Sequence, residues 1–130
     1  MNYPKSRLRR LRYNNNIRSL VQDVHLNISD LIYPIFICEG ENIKKEIKSL
    51  PGQYRLSVDN VLVLCDELIK LGIKSILLFG ISDKKDNDGS IACSEDSIIP
   101  FAIKKIKKKF STDILIMADL CNCSYTSHGH

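Results

Sequence analysis

The sequence predicts an α/β fold built on a parallel sheet. Three short segments are apolar along almost their whole length and rich in β-branched residues, and segments with apolar residues at helical spacing lie between them. A strand that is apolar throughout is typical of a parallel sheet with both faces covered. The alternation of such strands with helices indicates right-handed β-α-β crossovers.

An N-terminal arm over residues 1–30 precedes these elements. Its first 18 residues carry six basic side chains and no acidic one, whereas the rest of the chain carries 13 basic and 15 acidic side chains. The net charge of +4 therefore belongs to the arm and not to the domain, which weakens a nucleic-acid-binding interpretation. The asparagine run at 14–16 interrupts any helix here, because asparagine side chains compete for backbone hydrogen bonds. The six basic residues are Lys5, Arg7, Arg9, Arg10, Arg12 and Arg18.

The domain over residues 31–130 contains three predicted strands and two predicted helices. The strands lie near 31–38, 75–81 and 113–120, and the helices near 58–71 and 95–109. Pro34 inside the first strand indicates a sheet edge, a bulge or a special site, because proline cannot donate to the ladder. Ser57 is the predicted N-cap of the first helix and Gly72 its stop. The second helix begins with acidic residues such as Glu95 and ends in KKIKKK, an order that complements the helix dipole.

Length and composition exclude several classes of protein. The 130 residues suffice for one domain but not for a complete (β/α)₈ barrel, which needs about 250. The longest apolar runs are about seven residues, too short to span a bilayer, and the basic start of the chain is not a secretory signal. Five cysteines favour free thiols or a metal site in a reducing compartment, so we expect a cytoplasmic protein. The third strand would be an exposed edge near the chain end, so the chain looks unfinished.

Residues 119–130 carry the richest chemistry of the chain. Ligands of α/β folds bind beyond the carboxyl ends of strands, which is where Asp119, Cys121 and Cys123 stand. The two cysteines would face the same side and share a zinc ion if strand geometry persists to Cys123. Two free thiols in a loop, and an Asp119 that only caps a loop, remain open as alternatives. His128 and His130 are either further ligands or exposed side chains. The other cysteines are interpreted as small buried hydrophobes or idle thiols: Cys38, Cys65 and Cys93.

Six segments carry a resemblance to a known family. They are RLRRLR (7–12), DLIYPIFI (30–37), SLPGQYR (49–55), GIKSILLFGIS (72–82), DGS (88–90) and MADLCNCSYTSHGH (117–130). In this order and spacing, along essentially the whole chain, they resemble the N-terminal part of the δ-aminolevulinic acid dehydratases, or porphobilinogen synthases. The last segment resembles the signature of the zinc-dependent branch of that family.

The resemblance implies a fold and an activity. Family members are TIM barrels with an extended arm that embraces a neighbouring subunit in a homo-octamer. This chain would then hold the arm and the first three strands of an incomplete barrel. The family condenses two molecules of 5-aminolevulinate to porphobilinogen for tetrapyrrole and haem synthesis, and this implies no nucleic-acid or membrane partner.

The resemblance also implies roles for single residues. Family members bind zinc through three cysteines in a C-x-C-x7-C pattern, of which Cys121 and Cys123 match the first two. The third would follow directly after His130. Asp119 matches an active-site aspartate near the zinc and the substrate. The two lysines that hold substrate as Schiff bases and the allosteric magnesium site belong to the family's second half, and none of the 13 lysines here matches them.

These implications lead us to expect that the isolated 130-residue chain is inactive. Two alternatives stand beside a dehydratase fragment. One is a small metal- or nucleic-acid-binding module, which would bind zinc tightly or bind nucleic acid with a steep dependence on salt. The other is an interaction protein that joins intact octamers through its arm.

Overall fold

The computed structural model describes residues 4–6 and 8–129 of the chain. Arg7 of the basic arm and His130 of the candidate site lie outside the described residues. The helices and strands in chain order are α1 (Asn15–Leu20), β1 (Ile32–Cys38), β2 (Lys44–Glu46), β3 (Tyr54–Leu56), α2 (Val58–Lys70), β4 (Ser75–Ile81), α3 (Ile98–Phe110) and β5 (Leu115–Ala118). Short 3-10 turns lie at Arg10–Arg12, Ile28–Asp30 and Ser90–Cys93.

The strands of the described residues form one sheet in the order β2-β3-β1-β4-β5. β3, β1, β4 and β5 run parallel, and β2 runs antiparallel to β3. β1 and β4 pair along their whole length, from Ile32 with Ser75 to Cys38 with Ile81. β5 pairs with β4 on one side and forms an edge of the sheet. The predicted α/β fold with a parallel sheet is therefore present.

Helices α2 and α3 pack against one face of this sheet. Ile35 and Ile37 of β1 and Ile76 and Leu78 of β4 are buried beneath them in a single core. Side chains that alternate with these, such as Phe36, are only half-buried. Strands that are apolar on both faces predict that other elements cover both faces of the sheet. Among the described residues, helices cover one face. Hydropathy shows that a face is apolar but does not show which element packs on it. α3 contributes buried residues at intervals of four: Ile98, Ala102, Ile106 and Phe110.

A hairpin formed by β2 and β3 lies between the first predicted strand and the first predicted helix, where the sequence predicts no strand. The three-residue strands pair from Lys44 with Leu56 to Glu46 with Tyr54. Gly52 adopts a φ of 81° in the turn, a conformation that glycine reaches without strain. Strands this short contain too few residues to produce a periodic hydropathy pattern, so sequence reasoning missed them.

Pro34 lies where β1 has a neighbouring strand on one side only. Its partner in β4 is Leu77, whereas β3 pairs with β1 only at Phe36 and Ile37. The described sheet therefore has a local edge at this position. A proline is tolerated there because it removes no hydrogen bond between two paired strands.

Helix α2 begins after Ser57, but that side chain is not used as a helix cap. Its hydroxyl accepts the backbone N–H of Ile43 at 2.8 Å, and Asn60 donates to the Ile43 carbonyl at 3.0 Å. Ser57 is fully buried, so it fastens the β2–β3 segment to the start of α2. The helix ends before Gly72, whose φ of 87° suits a C-terminal stop.

Helix α3 starts at Ile98, three residues later than the sequence predicts. Glu95 therefore precedes the helix, whose first turn contains no acidic residue. Pro100 explains the later start, because proline is tolerated in the first turn but not deeper in a helix. The basic residues of the last turn, Lys107, Lys108 and Lys109, are placed as the dipole favours.

The described part of the arm packs none of its residues into the core. A helix is nevertheless present at α1, contrary to the prediction from the asparagine run. Asn14 stands at the N-cap, and its side chain accepts the N–H of Ile17 at 2.9 Å. Asparagine side chains hydrogen-bond to nearby backbone groups, which is unfavourable inside a helix but favourable at its N-cap. No helix in the described part of the chain combines the length and the apolar content that a bilayer crossing requires.

Candidate functional site

The candidate site is an open cleft at the carboxyl ends of β1 and β4, beside the segment that leaves β5. Its volume is about 260 Å³. Its apolar wall includes Phe36 and Phe79, whose rings stack with centroids 5.2 Å apart. Asp119, Cys121 and Cys123 line the same cleft. The structure therefore brings together the three residues that sequence reasoning selected.

Asp119 is the first residue after β5, and its backbone still continues the ladder. Its N–H donates to the Leu78 carbonyl at 3.0 Å. This bond fixes the main chain at the point where the carboxylate reaches the cleft. Asp119 is exposed there, so its charge is available to a ligand.

The thiols of Cys121 and Cys123 lie in hydrogen-bonding contact with each other. The contact does not arise from strand geometry, which ends at Ala118. A turn closes instead, in which the N–H of Tyr125 donates to the Asn122 carbonyl at 2.9 Å. Strand geometry therefore does not persist to Cys123, and the side chains converge without it.

The surroundings of Cys123 favour the neutral form of its thiol. The hydrogen bond with Cys121 raises the pKa of the Cys123 thiol above its ordinary value, and the nearby Asp119 carboxylate adds to the rise. Cys121 is exposed and Cys123 is half-buried. Both residues line the cleft, and the Cys123 thiol keeps its proton to a higher pH than an ordinary cysteine.

The donor set fits part of a zinc centre. Two adjacent thiols beside a carboxylate are suitable ligands, whereas zinc sites in proteins take three or four protein ligands. Among residues 4–6 and 8–129, no group of three or more metal-ligating side chains is arranged to hold an ion. His128 instead has ring nitrogens 3.0 Å from the Gly129 carbonyl and 3.2 Å from the Asn87 carbonyl.

The segment that follows the cysteines is fastened to Gly80 of β4. The Ser124 hydroxyl donates to the Gly80 carbonyl at 3.0 Å. Tyr125 is buried against the same glycine, where a β-carbon would overlap its hydroxyl and lie 2.8 Å from Ile99. Burial raises the pKa of the Tyr125 phenol. Sequence reasoning missed these contacts, although a glycine inside a buried strand can indicate close approach of another group.

The other cysteines take no part in the cleft. Cys65 is fully buried in the core, and burial raises the pKa of its thiol to about 11. Cys38 is half-buried and Cys93 exposed. Cys65 thus behaves as a small core hydrophobe.

Comparison with known proteins gives the same result in sequence and in structure. The family model described as delta-aminolevulinic acid dehydratase matches residues 5–130. The delta-aminolevulinic acid dehydratase of Helicobacter pylori strain J99 is 50% identical over 125 residues, which cover 95% of this chain and 38% of that protein. The Methanothermus sociabilis dehydratase is 45% identical over 130 residues, which cover all of this chain and 40% of that protein.

A solved structure extends the match to the fold. The crystal structure of delta-aminolevulinic acid dehydratase (porphobilinogen synthase) from Toxoplasma gondii ME49, in complex with the reaction product porphobilinogen, superposes with a TM-score of 0.89 at 37% identity. The match covers 96% of this chain and 36% of that one. The sheet described here therefore corresponds to the first part of a (β/α)₈ barrel, and the chain spans about two fifths of the length of these relatives. Since the family model spans nearly every residue, this chain belongs to the delta-aminolevulinic acid dehydratase family.

Proposed function

We propose that this chain supplies the zinc-binding side of an active site that condenses two molecules of 5-aminolevulinate to porphobilinogen. The observation that carries the proposal is the thiol pair of Cys121 and Cys123 beside Asp119 in one cleft. The cleft opens at the carboxyl ends of parallel strands, which is where barrel enzymes bind their substrates. Membership of the family makes 5-aminolevulinate the proposed substrate.

In this proposal Cys121 and Cys123 hold the zinc ion. When bound, zinc would act as a Lewis acid that polarises a substrate oxygen. Asp119 would orient the amino group of a substrate by accepting a hydrogen bond from it. The stacked rings of Phe36 and Phe79 form an apolar wall that limits water near these groups.

The proposal assigns the Schiff-base step to residues other than those described here. A Schiff base needs a lysine amine within reach of the substrate carbonyl. No lysine is among the described residues that line the cleft. We therefore expect the 130-residue polypeptide by itself to form no porphobilinogen.

The arm fits a role in subunit assembly. Several of its apolar side chains are more than half exposed, an arrangement that favours burial against another chain. We propose a homo-oligomer, an octamer by analogy with the family, in which the arm packs on a neighbouring subunit, in the cytoplasm. The exposed residues are Leu8, Leu11, Tyr13, Leu20, Val24 and Leu26.

A chimera tests the proposed activity. This chain would replace the matching 125-residue segment of the Helicobacter pylori relative, and porphobilinogen would be measured colorimetrically after addition of 5-aminolevulinate and zinc. We expect activity that Cys121→Ser or Cys123→Ser lowers by at least about a hundredfold, since ligand loss removes the Lewis acid. Cys93→Ser, an exposed thiol outside the cleft, is the matched control and should leave activity unchanged. A chimera that assembles like its parent but forms no porphobilinogen would refute the proposal.

A further inference from the structure

We propose that Asp86 is a positioning residue that holds the thiol pair of Cys121 and Cys123 in place by fastening the segment that follows it. The inference rests on the proposed function, because it concerns the same two thiols. It assigns a task to the loop over 82–97, which joins β4 to α3 and is called the docking loop below.

The thiol pair needs such a support because it lies beyond the last regular element. β5 ends at Ala118, and Cys121 and Cys123 follow in an irregular segment. Cys121 is exposed, so no core packing fixes it. Contacts of the flanking residues must therefore hold the turn that brings the two sulfur atoms together.

The main chain of Asp86 supplies two of these contacts. Its N–H donates to the Tyr125 carbonyl at 3.2 Å, and its carbonyl accepts the N–H of Ser127 at 2.8 Å. These two bonds form an isolated parallel β-bridge between Asp86 and Thr126. The docking loop thus holds the segment after the cysteines as a neighbouring strand would.

Asn87 extends the same attachment by one residue. Its side-chain oxygen accepts the Ser127 hydroxyl at 2.7 Å, and its carbonyl lies 3.2 Å from Nε2 of His128. Gly89 lies close as well, because a β-carbon there would stand 3.3 Å from a methyl carbon of Thr126. The contact therefore covers consecutive residues on both sides.

The carboxylate of Asp86 gives the docking loop the shape that this bridge requires. It accepts the backbone N–H groups of Asp88 and Ser90, each at 3.0 Å, and also the Ser90 hydroxyl. Gly89 lies inside this ring with a φ of 63°, which lets the backbone turn back on itself. Removing the carboxylate would release the loop and with it the bridge to Thr126.

The experiment compares Asp86→Ala with two matched variants of the 130-residue polypeptide. Asp86→Asn keeps a side-chain oxygen that can accept the two backbone N–H groups. Asp88→Ala removes the same charge from the same loop, while its backbone N–H remains. Two quantities are measured: hydrogen exchange of the Ser127 amide without metal, and the dissociation constant for Co²⁺ from the thiolate-to-cobalt absorption band.

We expect Asp86→Ala to accelerate exchange of the Ser127 amide and to weaken Co²⁺ binding, each by about tenfold, the usual effect of losing a group that orients metal ligands. Asp86→Asn should rescue most of both effects, and Asp88→Ala should show neither. Unchanged exchange and affinity in Asp86→Ala would overturn the proposal. Equal weakening in Asp88→Ala would also overturn it, because loss of negative charge would then explain the result.

Two further results distinguish a failure of this inference from a failure of the proposed function. If Asp86→Ala does not fold, Ser90→Ala replaces it, because that change removes only the hydroxyl donor to the Asp86 carboxylate. If the unaltered polypeptide gives no thiolate absorption with Co²⁺, the zinc part of the proposed function fails. The exchange of the Ser127 amide then still decides whether Asp86 fastens the segment.

Discussion

The phenol of Tyr125 occupies the space that a side chain on Gly80 would need. The two residues are far apart in sequence, and their contact joins the cysteine-bearing segment to a central strand. Ser124 strengthens the same attachment through its hydrogen bond to the Gly80 carbonyl. The geometry of the thiol pair therefore depends on a glycine that carries no chemistry itself.

Gly80→Ala should destabilise the chain by about 1–3 kcal/mol, the usual cost of forcing an extra carbon into a packed site. The new methyl group would overlap the Tyr125 hydroxyl and press on Ile99. Urea denaturation followed by far-UV circular dichroism measures the free energy of unfolding. The double variant Gly80→Ala/Tyr125→Phe should recover part of the loss, because it removes the overlapping oxygen. Full stability of Gly80→Ala alone would contradict the packing described here.

The fold class was predictable from the sequence because the apolar composition of β1 and β4 marks them as buried strands. SILLFGI and IYPIFIC are short apolar runs rich in β-branched and aromatic residues, which favours buried strands over buried helices. The hairpin of β2 and β3 was not predictable, since its strands are three residues long. The start of α3 was misplaced because acidic residues before Ser97 suggest a helix start that Pro100 forbids.

The candidate site was predictable in its composition but not in its geometry. The spacing of Cys121 and Cys123 predicts side chains on the same side only if a strand continues through both residues, whereas a turn after β5 brings the sulfur atoms together. The supports of that turn, Gly80 and Asp86, are distant in sequence. Hydropathy and motif spacing describe neighbours along the chain, so they do not show which distant residues Gly80 and Asp86 contact.

Ser57→Ala should lower the free energy of unfolding by about 1–3 kcal/mol, which is the cost of leaving a buried polar group without its partner. The lost hydroxyl accepts the N–H of Ile43 in a part-buried position. Ser94→Ala is the control, because its hydroxyl accepts the Asp96 N–H in an exposed turn and should change stability by about 0.5 kcal/mol or less. Chemical denaturation of both variants provides the comparison. Equal stability of the two would show that Ser57 is not a structural link.

Ile106→Ala should be among the more damaging changes in α3, with a loss of about 2–5 kcal/mol. Ile106 is fully buried between the helix and the sheet. Phe101 is the matched residue on the same helix, and it is 47% exposed. Phe101→Ala should therefore cost less than Ile106→Ala by at least about 1 kcal/mol, although it removes more atoms. The reverse order in thermal or urea unfolding would mean that α3 presents a different face to the core.

The stability of the chain should fall as pH rises from 9 to 11, in part through Cys65. Burial raises the pKa of this thiol from 9.0 to about 11 in the folded state. Above pH 9 the unfolded chain loses the proton while the folded chain retains it, so ionisation favours unfolding. The contribution is complete below pH 9 and declines by up to about 3 kcal/mol toward pH 11.

Cys65→Ala isolates that contribution from the lysines and tyrosines that titrate in the same range. The measurement is the free energy of unfolding of both proteins at pH 8 and pH 10.5. The decline should be smaller in the variant, because alanine has no proton to lose. An equal decline would mean that the Cys65 thiol is not shielded from water in the folded chain.

Metal binding by the 130-residue polypeptide should depend on Cys121 and Cys123 and should be strengthened by one added thiol. Two thiolates satisfy only part of a tetrahedral site, so we expect a weak thiolate-to-cobalt absorption that either Cys121→Ser or Cys123→Ser abolishes. Cys93→Ser should retain it. A chain extended by one cysteine after His130 completes the C-x-C-x7-C pattern. It should bind Co²⁺ at least about tenfold more tightly, because the third thiolate belongs to the same chain and adds another metal–sulfur bond. If the added cysteine leaves the affinity unchanged, the segment after Tyr125 does not turn back toward the thiol pair, and the three-cysteine zinc centre is not the site that this chain builds.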